Sequence, residues 1–126
     1  MCKFEGKWIG SGYIYTKKVL DCENNFTSDL IKTKDNVEIN INKVSNNIYE
    51  IKVNAILVPD YTDYFLGFYN HNAKTIQAIH HTPTNETNGI SNFYIKKNKL
   101  YNMFNFISNK KTFVSGEIKL KKQNNM

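Results

Sequence analysis

Apolar and polar residues alternate with a period of two along most of this chain, the spacing of strands that keep one face buried and the other wet. The clearest stretch is Tyr49-Glu50-Ile51-Lys52-Val53-Asn54-Ala55, where Tyr49, Ile51, Val53 and Ala55 share one face and Glu50, Lys52 and Asn54 the other. Val37 to Asn42 alternates in the same way. The Ser45-Asn46-Asn47 between them supplies residues that tolerate positive φ, so the two runs read as a hairpin. Continued along the chain, the pattern predicts strands near 6–16, 26–34, 36–43, 47–58, 63–70, 74–81, 89–97, 99–107 and 112–121, with room for one of them to be a bend of its neighbour. The separators carry turn chemistry: Lys34-Asp35-Asn36, Pro59-Asp60, Asn70-His71-Asn72, Thr82-Pro83-Thr84-Asn85, Lys97-Asn98 and Ser108-Asn109.

Short turns make sequence neighbours into spatial neighbours, and no window of a dozen residues sustains an apolar helical stripe, so crossover helices are not available. About eight strands in one open sheet would leave two edges exposed; closing the sheet removes them. The fold expected is therefore all-β, a closed up-and-down antiparallel barrel of about eight strands, with residues 1–126 forming a single domain. Tyr64 to Tyr69 and Tyr101 to Ile107 break the alternation by being apolar or aromatic on both faces. A covering loop, a ligand inside, or a subunit interface outside would each account for this.

Composition narrows the classes. The chain has 126 residues, 40% hydrophobic and 13% aromatic, enough for one core without disulfide or metal staples. Cys2 and Cys22 are too few for a disulfide framework or a cysteine zinc site. Met1-Cys2-Lys3 leads almost directly into the first strand with no apolar segment before it, so the expectation is a cytoplasmic protein with no membrane partner. The net charge is +6, and every basic residue is lysine. Arginine is the residue that forks onto phosphates and guanine edges, so its absence counts against a nucleic-acid partner and favours a solvated lysine surface.

Gly6-Lys7-Trp8-Ile9-Gly10-Ser11-Gly12 places the only Trp on the first strand with glycines at the same parity on both sides. This motif resembles the Gly-x-Trp of the calycin superfamily, the lipocalin-like, fatty-acid-binding and avidin-like barrels, and its fuller form looks most like the nitrobindin-type haem barrels. The resemblance implies a barrel that encloses one small ligand, with Gly6 and Trp8 in structural roles. It also implies a basic residue from the last strand, Lys119 or Lys121, lying across the indole. The subfamily residues differ: Tyr13-Ile14-Tyr15 stands where the nitrobindin-type pattern has Tyr-Pro-Thr, and Ser115-Gly116 stands where an iron-ligating His would be. That counts against haem, a lone Trp8 counts against biotin, and the residues name no cofactor.

Parity then sketches an inward set around a small apolar or aromatic ligand: Tyr49, Ile51, Val53, Phe68 and Phe104, with His80 or a Tyr hydroxyl orienting it, and Trp8 and Ile118 beside them. His80 and His81 point to opposite faces and cannot chelate one metal together. Asp60, Asp63, Asp21, Glu23, Asp29 and Glu86 read as turn residues. No nucleophile elbow, phosphate-cradling loop or zinc-protease motif occurs, so catalysis is unsupported. The reading is non-catalytic binding of a small apolar or aromatic molecule inside the barrel. The alternative is a structural or protein-interaction barrel that forms homo-oligomers through its aromatic outer faces.

Overall fold

The computed structural model of the chain describes residues 3–20, 25–26, 30–55, 62–80, 87–108 and 112–123. Its strands are β1 (Gly6–Leu20), β2 (Asn25–Phe26), β3 (Ile31–Ser45), β4 (Ile48–Ala55), β5 (Thr62–Asn70), β6 (Thr75–His80), β7 (Thr87–Lys96), β8 (Lys99–Ser108) and β9 (Thr112–Lys122). All pairings are antiparallel between sequence neighbours except two that involve β1, which pairs with β3 on one side and with β9 on the other. The β1–β9 seam, running from Trp8↔Lys122 to Lys18↔Thr112, closes an eight-stranded up-and-down barrel. The two-residue β2 is an appendage on the far end of β1, paired Val19↔Phe26 and Leu20↔Asn25.

The alternation works as its period requires. Val37, Ile39 and Ile41 of β3, Tyr49 and Ile51 of β4, and Ile76 and Ala78 of β6 all turn into one core. The turns at one end are tight. Asn47 lies at φ 64° in the β3–β4 hairpin, and Lys97 and Asn98 lie at 51° and 66°, the pair of positive φ values that a two-residue hairpin matched to strand twist demands. The other expected turns, Pro59-Asp60, Thr82 to Asn85 and Asn109, fall outside the described residues, as do Cys2, Cys22 and His81.

One expected turn does not exist. The sequence pattern predicts a break at Lys34-Asp35-Asn36 between strands 26–34 and 36–43, yet β3 runs straight through it, with Asp35 opposite Gly12 of β1. Asp35 shares the inward parity of Val37 and Ile39 and is only 5% exposed. An Asp-Asn pair is turn chemistry in isolation; here β1 supplies a complete partner strand, and ladder pairing overrides the local preference.

The closed end of the barrel is built around Trp8. Its indole N–H donates to the Phe4 carbonyl at 2.9 Å, which folds residues 4–8 across the end. The Phe4 ring then packs against Tyr69 at 5.7 Å and Tyr49 at 6.2 Å. The basic residue over the indole is Lys122, at 5.5 Å, and not Lys119 or Lys121. Parity is the reason. Ile118 and Leu120 face inward, so only Lys122, directly opposite Trp8, shares their side, while Lys119 lies outside over Tyr101 at 5.8 Å. At Gly10 and Gly12 a Cβ would strike the carbonyl oxygens of Lys119 and Glu117, so their hydrogens are what lets the β9 backbone cross β1 closely at the seam.

Candidate functional site

At the opposite end, where β4 leaves the barrel at Ala55 and β5 enters at Thr62, the interior is not filled. A cavity of about 200 Å³ opens there. Its body is apolar, formed by Ile14, Val37, Val53, Phe104, Phe106 and Ile118 from five strands. Phe104 has room because Gly116 stands opposite it on β9, where a Cβ would lie 2.5 Å from the ring's Cζ. The Phe104 and Phe106 rings stack with centroids 5.3 Å apart, giving the cavity one aromatic wall.

Four polar side chains interrupt that lining: Asp35, Asp63, Ser91 and Asn102. Asp63 is 6% exposed, and its Oδ1 sits 2.8 Å from Nε2 of His80, whose side chain is 0% exposed. The imidazole is wedged edge-on to Phe65, centroids 4.8 Å apart, and tilted against Phe106 at 5.8 Å. Packed among rings, the imidazole has its Nε2 directed at a carboxylate oxygen, so the pair fixes the orientation of both side chains. Asp35 accepts a 2.8 Å hydrogen bond from the Asn36 amide. Across the barrel, Asn102 donates through Nδ2 to Ser91 Oγ at 2.6 Å and to the Asn92 carbonyl at 3.2 Å. The carbonyl partner settles which end of the amide faces it, since only the nitrogen can donate.

The residues expected to hold a ligand divide into four groups. Val53 and Phe104 line the cavity. His80 faces inward but lies behind the lining, touching the cavity through Asp63. Tyr49 and Ile51 are buried core away from it, Tyr49 in the closed end against Phe4. Phe68 points out of the barrel and is 57% exposed. On β5 the inward parity belongs to Asp63, Phe65 and Gly67, and a strand aromatic on both faces gave no contrast from which to read that. Sequence reasoning missed Asp35 and Asp63 by taking both for turn residues. The signal was there in the register: Asp35 continues the Val37, Ile39, Ile41 face, and Asp63 continues the Phe65 face.

His71 lies in the β5–β6 turn, its Nε2 2.9 Å from Asn47 Oδ1 and its ring against Tyr69. No group of three or more His, Cys, Asp or Glu among the described residues is placed to hold a metal ion. Among the described residues no helix is long and apolar enough to cross a membrane.

Fold and cavity together define a closed eight-stranded antiparallel barrel with an internal pocket at one end. No family model matches the sequence, and no curated protein matches it. Among solved structures the chain is similar to a protein of unknown function from the DUF3598 family of Nostoc punctiforme PCC 73102, with a TM-score of 0.48 and 7% identity over 97% of this chain. The match covers 48% of that protein, so the chain spans about half its length.

Proposed function

We propose that the barrel is a calycin-like, non-catalytic binding domain that takes one small apolar or aromatic molecule into its open end. The observation that carries this is the cavity itself: unfilled space, walled mainly by aliphatic and aromatic side chains with a few polar groups among them, is the form that small-molecule sites take. Its size sets the ligand class. At about 200 Å³ it is smaller than the roughly 300–1,000 Å³ typical of drug-sized ligands, which points to a molecule of one ring or a short chain. Titration calorimetry with neutral 2-phenylethanol tests the reading. Saturable one-to-one binding is expected, lost in an Ala55→Phe variant that fills the cavity while keeping its far-UV spectrum. Absence of binding, or equal binding by the filled variant, contradicts it.

A second reading is favoured by one feature of the outer surface. Leu66 of β5 stands opposite Ile79 of β6, which stands opposite Ile90 of β7, a row of exposed aliphatic side chains on three adjacent strands. Tyr64 and Phe68 flank it on β5. Such a face suits protein contact, including contact with a second copy of the chain. Light scattering at high concentration separates the two: a strict monomer argues against self-association, and an oligomer that Ile79→Lys dissociates supports it.

A further inference from the structure

We propose that the cavity selects molecules carrying a protonated amine on their apolar or aromatic body, and discriminates against carboxylates. This rests on the reading of the cavity as a binding site. Among the described residues that line it the two acidic ones are Asp35 and Asp63, and none is a lysine although the chain is strongly basic. Lys32 and Lys119 lie on outer faces and Lys122 at the closed end.

The acceptors also outnumber the donors. Asp63 makes one contact, through Oδ1 to His80, and Asn102 uses only its amide nitrogen. The second Asp63 oxygen and the Asn102 amide oxygen thus have no hydrogen bond within the described protein. No fully buried side-chain oxygen or nitrogen there lacks a partner, so these two oxygens are not sealed in but open onto the cavity their residues line. Asn102 is 3% exposed, so what its oxygen meets is cavity and not bulk solvent. Ser91 Oγ already accepts from Asn102, which leaves its O–H as the one donor directed elsewhere.

The topology spreads these groups around the ring. Asp35 is on β3 and Asp63 on β5, with β4 between them; Ser91 and Asn102 are on β7 and β8, across the barrel. An ammonium has three donors and no acceptor, and inside an apolar cavity a carboxylate partner is what it needs to leave water. Among the described lining residues a ligand carboxylate would meet two carboxyl groups and a single hydroxyl donor. The aromatic wall of Phe104 and Phe106 then suits the ligand's ring.

Three probes of the same skeleton test this by calorimetry at one pH and ionic strength: phenethylamine, 2-phenylethanol and 3-phenylpropionate. The amine is expected to bind at least tenfold more tightly than the alcohol, and the carboxylate at least tenfold more weakly. Asp63→Asn and Asp35→Asn keep side-chain size, and together they should abolish the preference for the amine over the alcohol. Should the double variant fail to fold, the ranking of the three probes on the unaltered protein still decides. Alcohol binding with no advantage for the amine overturns this inference and leaves the cavity reading standing. A carboxylate that binds as well as the amine overturns it too. Binding of none of the three overturns both.

Discussion

Trp8 and the Asp63–His80 pair hold opposite ends of the barrel by different physics. The indole combines burial, one hydrogen bond to Phe4 and a cation above its face. Trp8→Ala should therefore cost about 3–5 kcal/mol in denaturant unfolding, in the range of large core truncations. For the pair, removing one partner leaves the other buried without it. His80→Ala should cost roughly 3–5 kcal/mol, whereas Asp63→Asn, which keeps an oxygen for Nε2, should cost clearly less. Glu38 is the contrasting surface case. Burial would push its carboxyl up, but hydrogen bonds from Lys7, Asn40 and Asn54 together with the Lys7 charge outweigh that and hold it below the ordinary value. Its contribution is present above the unfolded-state pKa and lost as pH falls through the folded one. Because Lys7 is half exposed, Glu38→Gln should cost less than about 1 kcal/mol at neutral pH, and the difference from the parent should vanish as pH falls through the lowered folded-state pKa. At this scale the sequence was legible where parity had contrast, as at Tyr49 to Ala55. It misled where it lacked contrast, at Phe68, and where an inward polar residue imitated a turn, at Asp35 and Asp63.

The strands themselves were easier to read than their partners. Period two located all eight barrel strands because each has a buried face, but the pattern carries no information on where a strand ends once it outruns the core. That is why β1 extends to Leu20, past the end expected near residue 16. The seam was partly legible. The glycines beside Trp8 marked β1 as special, but their role is toward β9: they admit the backbone of that strand, and register then selects Lys122 for the indole. Gly10→Ala should consequently strain the β1–β9 ladder and no other, destabilising the barrel by more than about 1 kcal/mol. Amide hydrogen exchange would show it as lost protection in β1 and β9, with β4 to β7 unchanged. Uniform loss around the barrel would mean that the seam is not a separate unit.

On the scale of the molecule, the barrel is packed at the end crossed by residues 4–8 and hollow at the end where β4 leaves and β5 enters. Fold class followed from strand count and the need to remove edges. The cavity did not, because whether an eight-stranded barrel fills itself depends on the sizes of side chains meeting across it, and a sequence read strand by strand does not pair them. Gly116 opposite Phe104 and Ala55 opposite Val37 are such pairings. Methyl NMR during titration with 2-phenylethanol tests the central claim most directly, since it reports which surface the probe touches. The account predicts saturable shifts at Val53, Val114 and Ile118 inside the cavity, with Ile79 and Ile90 on the outer face unmoved. Shifts confined to Ile79 and Ile90, or no saturable shift at all, would contradict it.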